Sequence, residues 1–193
     1  MRAVEALRAT LGHALAGVLA CLLVCVPALA QQDRFDVRSA FVEPAEGLWN
    51  LGVTLDLSLS GAAREALEES IPLDLRLDVL LKGERRFLPN ETVAELEQRW
   101  RLSWDALSER YVVTHTNSGA QSNYASLDLA LESLSRVRGL PLIDASLLED
   151  GRRYEVSVRA TVEIGDVPTA LKVVLFWREW SRTTEWYTWS LRP

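Results

Sequence analysis

Apolar and polar residues alternate with a period of two along much of the chain, the pattern of strands with one buried and one wet face. Val53, Leu55, Leu57 and Leu59 point one way, while Thr54, Asp56 and Ser58 point the other. Leu73, Leu75, Leu77, Val79 and Leu81 repeat the pattern against Asp74, Arg76 and Asp78. Ala94, Leu96, Trp100, Leu102 and Trp104 share a face opposite Glu95, Glu97, Arg99 and Arg101. Tyr154, Val156, Val158, Ala160, Val162 and Ile164 oppose Arg153, Glu155, Ser157, Arg159, Thr161 and Glu163. Further strands are predicted over 35–42, 109–116, 183–191 and 172–177. Half-buried strands of this kind belong to antiparallel sheets.

Turn chemistry separates the strands. Residues 105–108 can join two of them, and Asn117-Ser118-Gly119 tolerates positive φ. Gly165-Asp166-Val167-Pro168 breaks the alternation after Ile164. Two helices are predicted. Ser126 caps a run with Leu127, Ala130, Leu131, Leu134 and Val137 at helical spacing, stopped by Gly139. Ser60 begins a shorter one over 62–69. Each is followed by an X-Pro-Leu step that leads back into extended chain, Ile71-Pro72-Leu73 and Leu140-Pro141-Leu142. Helices inserted between many half-buried strands imply a mainly β fold, a two-layer antiparallel β-sandwich with Greek-key-like connections. An open sheet with both helices on one face is the alternative.

The first thirty residues depart from this pattern. Arg2 and Arg8 precede an apolar stretch over 11–28, broken only by His13, and Ala28-Leu29-Ala30 offers small residues at a cleavage site. That order is a secretory signal, expected to be removed after Ala30, leaving one domain over 31–193. The rival readings are an uncleaved anchor over 11–30, against which Pro27 argues, and a lipoprotein box ending at Cys21, against which the bulky Leu19 argues. Both cysteines, Cys21 and Cys25, fall inside this segment, so the mature chain has none and is held by its core alone. Processing leaves a net charge of −7, from 26 acidic and 19 basic residues. An acidic balance argues against nucleic acid and against adsorption to anionic lipid.

Catalytic signatures are missing: there is no Gly-x-Ser-x-Gly elbow, no Gly-rich phosphate loop and no Ser-x-x-Lys. With no cysteine and the single histidine His115 after processing, no metal or cofactor is expected. His115 shares a strand face with Tyr111 and Val113 and is read as a packed or rim residue rather than a base or ligand. Glu95, Glu97, Glu155 and Glu163 interleave with Arg99, Arg101, Arg153 and Arg159, which predicts an ion-paired sheet surface rather than a glycosidase-like pair. Glu149-Asp150-Gly151 reads as a turn.

Two surfaces stand out. The nine-residue stretch over 83–91 is longer than a hairpin needs and sets Arg85 and Arg86 beside Phe87 and Leu88, a mixture suited to a docking partner. Folding back as a plug over the sandwich edge is its other reading. The second surface is the aromatic cluster Phe176, Trp177, Trp180, Trp186, Tyr187 and Trp189. In an unbroken strand Trp186 and Trp189 face opposite ways, so one is exposed to a partner or a sugar unless both cap the core.

The run from Phe87 to Leu102 (FLPNETVAELEQRWRL), with Leu107-Ser108, Tyr111-Val112-Val113-Thr114, Leu140-Pro141-Leu142-Ile143-Asp144, Tyr154-Glu155-Val156 and Glu185-Trp186-Tyr187-Thr188-Trp189, resembles a family of exported proteobacterial proteins classed only as a domain of unknown function. The resemblance implies export and one domain, and an accessory role in envelope signalling beside a membrane-bound sensor kinase. It implies no activity, ligand or catalytic residue. The expected function is thus a non-enzymatic periplasmic protein that contacts an envelope or membrane protein through Arg85, Arg86, Phe87, Leu88, Trp186 or Trp189. A glycan-binding or glycan-hydrolysing protein, and a membrane-tethered structural domain, are the alternatives.

Overall fold

The alternating segments become two antiparallel sheets in a computed structural model that describes residues 34–165 and 181–193. Its elements are β1 (Phe35–Ala45), β2 (Leu48–Leu57), α1 (Gly61–Glu68), β3 (Leu73–Gly83), β4 (Glu91–Asp105), β5 (Arg110–His115), β6 (Ala120–Tyr124), α2 (Leu127–Leu134), β7 (Arg136–Asp144), β8 (Tyr154–Ile164), β9 (Ser181–Thr183) and β10 (Tyr187–Leu191). The smaller sheet has the order β1-β2-β7, and the larger runs β10-β8-β3-β4-β5-β6. Strands β9 and β10 share one edge of β8. The chain crosses between the sheets after β2, after β6 and after β7, and the two helices lie in the first two crossings.

The period-two pattern decides which faces meet. Leu77, Val79, Leu81, Val156 and Val158 on the larger sheet and Leu51 on the smaller are fully buried in one core. Strand β1 lies against β8 and β10, and β7 lies against β4, so the layers form a mainly β, sandwich-like fold. Each such side chain contributes about 1.5–3 kcal/mol by leaving water. The wet residues of β3 and β8 face away from the smaller sheet, as the alternation requires.

Both helix starts follow the predicted caps. Ser60 Oγ accepts the Ala63 amide at 3.2 Å, and Ser126 Oγ accepts the Leu129 amide at 3.3 Å. The end of α2 differs from expectation. The helix stops at Leu134, and Val137 and Gly139 belong to β7 instead. Ser135 explains the change of direction. Its hydroxyl donates to the Leu131 carbonyl at 2.7 Å, while its own carbonyl accepts the Leu55 amide at 2.8 Å, which pulls the chain into the smaller sheet. Gly139 then takes a φ of +61° within a strand that pairs irregularly with β2. Strand β6 was not expected, because Ala120-Gln121-Ser122-Asn123-Tyr124 carries no apolar alternation.

The expected strand over 183–191 is two pieces. Thr184 is buried between them, with its amide on the Ala160 carbonyl at 2.9 Å and its hydroxyl accepting the Ala160 amide at 3.1 Å. One side chain thus replaces a ladder rung and kinks the edge. The expected strand over 172–177 and the segment over 1–30 lie outside the described residues.

Candidate functional site

Three carboxylates on the outer face of the larger sheet, Asp74, Asp78 and Glu97, are ion-paired. Arg101 donates to both Asp74 oxygens at 2.7 Å, and Arg159 reaches Asp78 at 3.1 Å. Arg99 holds Glu97 at 2.6 Å, and the Glu97 carboxyl sits below its usual range chiefly because of that hydrogen bond. The pairs thus include two across strands and one along a strand, on a solvated sheet face. Among the described residues no group of three or more His, Cys, Asp and Glu could hold a metal ion. None of the described helices is long and apolar enough to cross a membrane.

His115 sits on the inner face of β5 with both ring nitrogens engaged. Its Nε2 lies 2.7 Å from Gln98 Oε1, an atom that only accepts, so Nε2 carries the proton. Nδ1 then accepts from the Ser118 hydroxyl at 2.8 Å. The Trp100 ring stacks on the imidazole with centroids 5.1 Å apart. These contacts explain why a glutamine occupies an apolar face of β4: it is a hydrogen-bond partner for the half-buried histidine.

The loop between β3 and β4 combines a fixed base with an open tip. Glu84 donates its amide to the Arg153 carbonyl at 2.9 Å. Across the base, Arg85 pairs with Glu91 at 2.5 Å, and Arg152 reaches the same carboxylate at 3.5 Å. Arg152 also holds Glu149 at 2.9 Å and lies over the Tyr154 ring at 5.4 Å. The Arg152 guanidinium lies over Gly83, where a Cβ would sit 2.5 Å from it and displace the side chain. The hydrogen bond and charge of Arg85, followed by those of Arg152, hold the Glu91 carboxyl below its usual range. Beyond the base, Phe87 is 88% and Leu88 63% exposed, with the Arg86 guanidinium 5.6 Å from the Phe87 ring. The loop therefore does not fold back as a plug.

Trp186 and Trp189 face opposite ways, as their odd spacing requires. Trp189 packs half-buried against the core beside Tyr187, with ring centroids 5.8 Å apart. Trp186 turns outward, 38% exposed, with the Arg159 guanidinium 4.4 Å from its ring. Phe176, Trp177 and Trp180 lie outside the described residues. The structure does not bring the two surfaces together. The loop leaves β3 at Gly83, which is level with Tyr154 and Leu191, whereas Trp186 lies beyond the opposite end of β10, where Tyr187 is level with Val158 and Val79. Four residues of strand, about 13 Å, separate those two levels.

Sequence reasoning missed the bracing pair Arg152 and Arg153, because both come from a turn some sixty residues further along. It also missed a cleft of about 450 Å³ between the inner face of β5 and β6 and the overlying β7, walled by Trp100, His115, Ser122, Tyr124 and Pro141. Small residues on β6 leave that space open, and nothing in the strand pattern marks it.

A family model described as "Domain of unknown function (DUF4390)" matches residues 32–190. No curated protein and no solved structure matches the chain.

Proposed function

The chain belongs to the family described as a domain of unknown function, DUF4390, and from that premise we propose that it is an exported, non-enzymatic accessory protein. Its loop over 85–88 docks on an envelope protein. One observation carries the reading: Phe87 and Leu88 project side by side from a loop whose base is tied down by Arg85, Glu91 and Arg152. Single exposed apolar residues such as Leu107 are ordinary on protein surfaces. An adjacent pair on a braced stem, flanked by arginines, is the composition of an interface centre. Bracing lowers the entropy lost when a partner fixes the loop.

Export rests on the basic, apolar and small-residue order of residues 1–30. Trp186 supports a glycan reading less well, because Arg159 already occupies one face of its ring.

The test is crosslinking of the tagged protein in an exporting host, followed by mass spectrometry. One dominant envelope protein, lost when Arg85, Arg86 and Phe87 become alanine, supports the reading, as does a mature chain that begins at Gln31. Capture that is unchanged by those alanines removes the loop from the function.

A further inference from the structure

Among the described residues the larger sheet has a gap in its pairing. Strand β4 spans Glu91–Asp105, and β3 pairs with it over nearly this whole length. On the other side β5 covers only the part from Trp100 to Asp105. The ladder then closes through Thr116, whose amide donates to the Arg99 carbonyl at 2.9 Å. Asn117 continues it with a side chain: the Arg99 amide donates to Asn117 Oδ1 at 2.8 Å, and Asn117 Nδ2 donates to the Glu97 carbonyl at 3.1 Å. Past that amide, no described strand pairs with this side of β4.

These bonds fix which groups are left over. Arg99 and Glu97 turn backbone groups away from β3, and the period of two carries the same direction to Glu95. The bulge opposite Leu81 and Lys82 ends the regular edge beyond Ala94. Three main-chain groups therefore face outward: the Glu97 amide, and the amide and carbonyl of Glu95. The stretch holds no proline or lysine, and its charged side chains are Glu95, Glu97 and Arg99.

We propose that this edge of β4 receives an extended segment of the partner as an added strand, resting on the partner-docking reading above and naming the form the partner takes. The side chains around the edge define its chemistry. Ala94 and Leu96 lie half-buried against the core on the inner face. Glu95 is exposed on the outer face, while Glu97 on that face is already held by Arg99. An added strand places one residue opposite Glu95 and its two neighbours beside Ala94 and Leu96. The segment that fits is thus apolar, basic, apolar at successive positions. Its main chain supplies affinity and its alternate side chains supply specificity. The braced loop leads directly into β4, so Phe87 and Leu88 lie at the end of the same edge and extend the contact.

The test uses the full mature chain and a synthetic seven-residue peptide of alternating valine and lysine, beside its glutamate counterpart. Hydrogen exchange is followed at the Glu95 and Glu97 amides. The lysine peptide is expected to slow both at least tenfold, and the glutamate peptide to leave them unchanged. Glu95→Lys is expected to reverse that preference, and Glu95→Pro, which removes an outward amide without touching the β3 ladder, to abolish the protection. Leu107→Ser, at an exposed position in the turn between β4 and β5, is expected to leave it intact. Protection by neither peptide, protection elsewhere, or equal protection by both overturns the inference. So does protection that rises with protein concentration alone, which assigns the edge to a second copy of the chain. If protection fails while crosslinking from Phe87 persists, only the added strand is lost.

Discussion

Arg85 and Glu91 form an ion pair at 2.5 Å across the base of the β3–β4 loop, closing a stem from which Phe87 projects. The two residues sit six positions apart on either side of the tip, so the pair fixes the loop's width. Arg152 adds a second contact to the same carboxylate from a turn far away in sequence. An exposed ion pair adds little to global stability. Its effect is local, in setting how often the loop opens.

That local role gives a pH dependence. The Glu91 carboxyl is held below its usual value of 4.5, first by the hydrogen bond from Arg85. A depressed carboxyl contributes fully above its unfolded value, and the contribution is lost as pH falls through the folded one. Order in the loop is therefore expected to be constant from pH 7 to about 4.5 and to fall below it. Glu91→Gln is expected to show the acid-like state at every pH. Exchange rates at Phe87 and Leu88 across a pH series, corrected for intrinsic exchange, measure this.

Leu77 and Phe87 make a contrasting pair. Leu77 is fully buried on β3, and Leu77→Ala is expected to cost about 2–5 kcal/mol. Phe87 is 88% exposed, and Phe87→Ser is expected to change stability by less than about 0.5 kcal/mol. Urea midpoints of the two variants check this. A Phe87→Ser variant as damaged as Leu77→Ala would mean that the ring is buried in solution.

Gln98 and His115 are coupled by the 2.7 Å bond on the inner face. Gln98→Leu alone removes the Nε2 partner and is expected to cost about 0.5–1.5 kcal/mol. The double change Gln98→Leu, His115→Leu is expected to cost less than the sum of the single changes. A double-mutant cycle by denaturant unfolding reads the difference.

Trp186 and Trp189 are expected to separate by fluorescence. Trp186→Ala removes an outward indole that contacts Arg159, worth about 0.5–1 kcal/mol. Trp189→Ala opens the core beside β1 and is expected to cost more. Acrylamide quenching is expected to fall in the Trp186→Ala variant and to be nearly unchanged in Trp189→Ala.

Much of this was legible in the residues, and the failures have physical causes. Alternation alone located β3, β4 and β8, because each is long and buries one face against a single core. It missed β6, whose polar residues stand mostly exposed at a sheet edge where burial imposes no pattern. It carried α2 too far, because Val137 continues a helical spacing by chance and Gly139 resembles a helix stop. The parity of Trp186 and Trp189 gave their opposite faces correctly. The loop over 83–91 was visible by length and composition, whereas its brace depends on Arg152, which only the pairing of β3 with β8 brings near. The open edge of β4 was hidden for the same reason: strand pairing lengths are set by where a hairpin turns, not by the pattern of one strand.

The most direct measurement places a photo-crosslinking residue at Phe87 and, in a second strain, at Leu107, which is 97% exposed in the turn between β4 and β5. The two positions are alike in apolar character and accessibility but lie on different loops. One covalent adduct with an envelope protein from position 87, and none from 107, is the result expected of a docking loop. Adducts of equal yield from both positions, or from neither, would contradict it.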